Sequence, residues 1–161
     1  MRELTVSEVR VSTSGTTPVV VLREVDGDRL LPIWMSAGGA AAIVAATEEP
    51  DPARPAIHDL VGELLTSLGG GLDEARIVGY EDGQFYAEVV VDGTELACRP
   101  SDAIALALRV GRPIRCTEDV LDAGRGDRGR GGGRGAGGGS GEVPRVPGQR
   151  EPGRLLAANA P

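Results

Sequence analysis

Two Asp-Gly dipeptides, Asp82-Gly83 and Asp92-Gly93, restrict what this chain can become more than any other feature of its sequence. Each stands between runs rich in β-branched and aromatic residues: Leu72 to Tyr80, Gln84 to Val91, and Thr94 to Cys98. A two-residue loop of this composition accepts the positive φ angles that a tight hairpin turn requires, and the twist of that turn matches the strands it joins. The three runs are therefore predicted to form an antiparallel meander.

The N-terminal part reads the same way. Leu4, Val6, Val9 and Val11 lie in one β-rich run and Thr17 to Val25 in another. Asp26-Gly27-Asp28 is a turn signal between that second run and Arg29 to Met35, so these two should form a hairpin. Pro32 has no N–H to give to a ladder, which places its strand at an edge or a bulge. Ser36 precedes an Ala-rich segment predicted to be helical from Ala37 to Glu48, and the prolines of residues 49–55 make a loop. Ile57, Leu60, Val61, Leu64, Leu65 and Leu68 fall on a 3-4 spacing ended by three glycines, which predicts an amphipathic helix. Ser101 to Val110 is a further helix, with Ser101 suited to cap it, followed by a short strand at Pro113 to Cys116 and a helical turn at Glu118 to Leu121. Strand runs with helices inserted, without strict βαβ alternation, indicate an α+β fold: a mixed, largely antiparallel sheet with two to three packed helices.

Composition divides the chain in two. Residues 1–122 carry 10 Arg against 21 Asp and Glu, a balance of −11, and read as one domain. Residues 123–161 carry 7 Arg against 3 acids within a run of Gly and Pro, and are expected to be a disordered tail. An acidic domain has little charge with which to neutralise a phosphate backbone, so nucleic-acid chemistry would need a local Arg, a bridging metal or the basic tail. Cys98 and Cys116 form no CxxC pair or zinc pattern and read as two small buried thiols. No leader-like or membrane-spanning run is evident, so the expected location is the cytoplasm, with no membrane partner. The small, flat face of Ala40 to Ala46 makes a homo-oligomer an open expectation.

Two places could carry chemistry. His58-Asp59, at the start of the second helix, has the residue types of a general base or metal ligand, and equally of an ordinary first helical turn. Arg99-Pro100-Ser101-Asp102 leaves a strand and enters a helix. Arg99 and Ser101 could seat a substrate phosphate there, with Asp102 as a carboxylate for catalysis or metal, while capping alone also explains Ser101 and Asp102.

The order of these motifs is more specific than any one of them. Leu31-Pro32-Ile33-Trp34 before an Ala-rich helix, then Arg54-Pro55 with His58-Asp59-Leu60, then Asp82-Gly83 with Phe85-Tyr86-Ala87, then Arg99-Pro100-Ser101-Asp102-Ala103-Ile104-Ala105-Leu106-Ala107, resembles the bifunctional nuclease domain family. The resemblance covers residues 3–122. It implies a nuclease hydrolysing DNA or RNA, with His58, Asp59 and Asp102 as catalytic residues. Arg99 and Ser101 would bind the substrate phosphate, and Asp59 and Asp102 would serve as ligands of a divalent ion such as Mg²⁺ or Mn²⁺. The chain departs from the family pattern once: Gly39 stands where the family commonly has Glu. That missing carboxylate keeps a second reading open, a non-catalytic protein-interaction or regulatory module of the same fold.

Overall fold

Seven strands share one sheet: β1 (Arg2–Arg10), β2 (Val19–Glu24), β3 (Leu30–Trp34), β4 (Leu72–Glu81), β5 (Gln84–Val91), β6 (Thr94–Cys98) and β7 (Ile114–Cys116). The computed structural model describes residues 1–10 and 17–126, so Val11 and the tail from residue 127 onward lie outside the described residues. The strand order is β3-β2-β1-β7-β4-β5-β6. Every pairing is antiparallel except β4 with β7, which makes the sheet mixed, as the sequence predicts. Both Asp-Gly turns have positive φ at each residue: 50° and 82° at Asp82-Gly83, 49° and 75° at Asp92-Gly93. Pro32 lies on β3, an edge of the sheet.

The two meanders are joined by β7. Its three residues pair with β1 on one side (Leu4 opposite Ile114) and with β4 on the other (Ala75 opposite Ile114). The chain reaches this slot because Gly111 ends the preceding helix in the left-handed conformation, φ 66° and ψ 37°. The Arg112 N–H then donates to Ala107 O at 2.8 Å, turning the backbone into the strand. Ile114 and Cys116 are buried at the seam between the meanders.

Among the described residues four helices accompany the sheet: α1 (Ala37–Thr47), α2 (Ile57–Ser67), α3 (Pro100–Val110) and α4 (Glu118–Gly126). Helix α3 is the central one, packing against α1, α2, β4 and β5 and burying Ser101 and Ala103 to Ala107. Several readings from the sequence change here. Helix α3 begins at Pro100 with Arg99 as its N-cap residue, so Ser101 does not cap it. Pro at the first helical position has the right fixed φ and lacks only an N–H that would have no helical partner. Ser101 turns inward instead, against Gly39 of α1: a Cβ on Gly39 would come within 2.7 Å of the Ser101 Cβ. The small face of α1 is therefore spent inside the molecule, with Gly39, Ala40, Ile43 and Ala46 buried. Gly124, which composition assigns to the tail, belongs to α4 and approaches Leu31 so closely that a Cβ would meet its Cδ1 at 2.3 Å.

Helix α2 departs furthest from its sequence pattern. Of the six aliphatic residues on the 3-4 spacing, only Val61 and Leu65 pack toward the core. Ile57, Leu60, Leu64 and Leu68 are 64%, 51%, 54% and 77% exposed. The part of α2 fully buried against the body is Asp59 and Gly62, and a Cβ on Gly62 would stand 2.7 Å from Val110 Cγ1. The spacing identified a helix correctly, but most of its apolar arc faces away from the core. Among the described residues no helix is long and apolar enough to cross a membrane.

Candidate functional site

A cleft of about 310 Å³ opens where α2 stands off the β5–β6 hairpin. Ile57 and Val61 of α2, Val89 of β5 and Leu106 of α3 form its apolar wall. His58, Arg99 and Asp102, together with the Cys98 thiol, supply its polar groups. Thus three of the five site residues expected from the sequence converge on one cleft, although they come from segments some 40 positions apart.

Each is delivered by a local device. Strand β6 ends at Cys98, and Arg99 follows in extended conformation, φ −74° and ψ 147°, so its side chain leaves at the mouth of the cleft. Asp102 lies in the first turn of α3, where the partial positive charge of the helix end favours a carboxylate. Arg99 grips it twice, Nε to Oδ2 at 2.7 Å and Nη2 to Oδ1 at 3.0 Å. On its other side the His58 Nε2 stands 3.7 Å from Asp102 Oδ1, outside hydrogen-bond distance but within reach of a small side-chain rotation. The exposures are graded: the His58 side chain at 14%, Asp102 at 34% and Arg99 at 73%. The guanidinium therefore faces solvent while the imidazole sits within the wall. The end of α3 is a poor anion seat by its backbone alone, because Pro100 has no N–H and the Asp102 N–H donates back to Arg99 O at 3.0 Å.

Asp59 and Ser101 are placed elsewhere. The Asp59 Oδ2 accepts the Ala56 N–H at 2.8 Å, closing the start of α2, and its Oδ1 forms an ion pair with Arg109 Nε. That pair is buried, with side-chain exposures of 7% and 11%, and its two atoms meet as an ion pair without hydrogen-bond geometry. Arg109 also donates to the last turn of α1, Nη1 to Glu48 O and Nη2 to Ala45 O, both at 2.8 Å. One guanidinium thereby ties the negative end of α1 and the beginning of α2 to α3. The sequence reading missed Arg109. Its signal was a lone cation in the last turn of the strongly apolar Ala103 to Val110 segment, which reads as routine helix-end charge unless its partners are known.

The thiol on the cleft wall is unreactive at neutral pH. Burial, reinforced by Asp102 and Glu88, pushes the Cys98 thiol up to about 11, so it remains protonated at neutral pH and is no thiolate. Arg99 is raised by its hydrogen bond to Asp102 and keeps its charge.

The model of the bifunctional nuclease domain matches residues 20–127, a span that runs from β2 through α4 and contains both helices of the cleft. The chain belongs to the bifunctional nuclease domain family. Within it, the chain is 45% identical over 122 residues to an uncharacterized protein of Mycobacterium tuberculosis, covering 75% of this chain and 74% of that one. It is 34% identical over 113 residues to bifunctional nuclease 2 of Oryza sativa subsp. japonica, covering 65% of this chain and 35% of the rice protein. Gly39 lets α1 touch α3 at Ser101: a Cβ in its place would meet the Ser101 Cβ at 2.7 Å and its Oγ at 2.9 Å, so the contact would have to shift.

Proposed function

We propose that this bifunctional nuclease domain hydrolyses phosphodiester bonds of DNA or RNA at the cleft between α2 and α3. The observation that carries the reading is the convergence of His58, Asp102 and Arg99 on a single wall. In this reading the His58 imidazole takes a proton from the attacking water and Asp102 orients the ring and balances the imidazolium. Arg99, exposed and paired among the described residues with Asp102, turns to the non-bridging oxygens of the scissile phosphate. The P–O bond to water forms as the bond to the leaving oxygen breaks, and the proton returns to that oxygen. Asp59 acts through position: its pair with Arg109 fixes the turn that presents His58.

A divalent ion such as Mg²⁺ or Mn²⁺ would be held at this site by Asp102, because Asp59 is committed to Arg109 and Ala56. Among the described residues no three His, Cys, Asp or Glu side chains gather to hold an ion unaided. When bound, the ion supplies charge neutralisation at the phosphate. The second reading, a non-catalytic interaction or regulatory module, is favoured by one observation, the four exposed aliphatic residues of α2.

The deciding assay is cleavage of labelled single-stranded RNA and double-stranded DNA by the full chain with Mg²⁺, Mn²⁺ or EDTA, beside the variant combining His58→Ala with Asp102→Ala. A positioned acid–base group contributes roughly 10²- to 10⁴-fold, so the variant should lose at least that much. Equal cleavage by the variant rejects the assignment.

A further inference from the structure

The apolar side chains that α2 leaves outside are not scattered. Ile57, Leu60, Leu64 and Leu68 follow one another at i, i+3, i+7 and i+11, which stacks them into one stripe along the helix. No described residue covers them, each being more than half exposed. Monomers rarely expose contiguous apolar patches larger than a few hundred Å², and a patch of about that size is often a contact site.

We infer that this stripe is the interface of a homodimer in which α2 packs antiparallel against α2 of a second copy. Three features select a second copy as the occupant. The stripe is nearly its own complement when reversed: Ile57 meets the partner's Leu68, and Leu60 meets the partner's Leu64, so one patch satisfies both sides of a two-fold axis. The stripe itself carries no charge, since the charged residues of α2 are Asp59, buried with Arg109, and Glu63, which lies off the stripe. An acidic or basic partner would therefore find nothing to pair with, whereas an identical apolar face loses only water. Antiparallel pairing also sets the positive end of each helix beside the negative end of the other. The area is at the low end of specific interfaces, where about 800 Å² per partner is standard, so the dimer forms in a concentration-dependent manner. Ile57 belongs to both the stripe and the cleft wall, so the second copy stands at the mouth of the cleft.

Sedimentation velocity of the full chain across a wide concentration range tests this. The wild-type chain is expected to pass from monomer to dimer, and Leu60→Glu with Leu64→Glu to remain monomeric while keeping its circular dichroism spectrum. A register test that does not depend on charge uses single-cysteine variants. Oxidising a mixture of Leu60→Cys and Leu64→Cys chains should give the mixed disulfide in excess over either variant alone, with wild-type protein as the control for Cys98. A wild-type chain that stays monomeric overturns the dimer and leaves the stripe to a partner of different sequence; a dimer that survives the glutamates, or crosslinks without register preference, overturns the interface.

Discussion

The two ends of the sheet are finished differently. At the β1–β3 end, Glu24 is 3% exposed and receives Arg29 through Nε at 2.8 Å and Nη2 at 3.0 Å, with Arg2 at 2.6 Å. Arg29 also reaches Glu118 of α4 at 2.8 Å, and Gly124 of the same helix lies on Leu31. Charge answers charge, and the apolar surface is closed by a helix that fits against it. At the β5–β6 end, α2 is held through the Asp59–Arg109 ion pair, the close contact of Gly62 and the packing of Val61 and Leu65, and it leaves behind a cleft, a solvent-facing Arg99 and a stripe of aliphatic residues. The comparison teaches where function can reside. The end whose charges are paired with one another leaves few polar groups for a ligand, whereas the incompletely closed end has both a cleft with polar groups at its wall and an apolar stripe.

The contrast can be broken most forcefully at Arg109. Removing one member of a buried ion pair leaves the other charge unpaired, at a cost of about 3–5 kcal/mol. Arg109→Ala should lower the urea midpoint by that equivalent and should release α2 and α1 together, visible as loss of amide-exchange protection in both helices. A variant that loses protection in α2 alone would mean that the contacts to Ala45 and Glu48 carry no weight.

A smaller effect belongs to the closed end and is read against pH. The Arg29 hydrogen bonds, opposed by burial and assisted by Arg2, hold the Glu24 carboxyl at about 2, below its ordinary 4.5. Because the folded value is depressed, the stabilisation is complete above about 4.5 and is lost as pH falls toward about 2. Glu24→Gln should therefore lie below wild type in stability at neutral pH, and the two should converge across that acid window in urea titrations. Parallel curves would show that the pair does not set the acid response.

The smallest effect is expected on the stripe. Leu64→Ser, at a position 54% exposed, should change the stability of the dilute monomer by no more than about 0.5 kcal/mol, the range of ordinary surface substitutions. A large loss in dilute protein would mean that the residue is covered from within the chain, and the difference between the two ends would shrink.

Much of this was legible beforehand, and for particular reasons. The Asp-Gly turns, the edge position of Pro32 and the breaks around the Ala-rich and Leu-rich helices depend on a few adjacent residues, and each lies where local chemistry puts it. The site was half legible. His58, Arg99 and Asp102 could be named from their motifs, but not their proximity, which requires α2 and α3 to pack at Gly62 and Val110. Asp59 looked as reactive as His58 in the sequence, and only the presence of Arg109 shows what occupies it. Which way the wide apolar arc of α2 faces was not legible, because periodicity identifies a face without saying what stands opposite to it.

By itself, then, the sequence determined the segments, their turns, the α+β class and the motif order that places the chain in its family. These follow from backbone preference and side-chain type within a few residues. The tertiary structure alone decided that β7 joins the two meanders, that Arg109 holds three helices, that Gly39 and Ser101 touch, and that four aliphatic side chains of α2 face outward. Those outcomes depend on which distant surfaces compete for the same space, and burial rewards any apolar partner of the right shape without regard to its place in the chain.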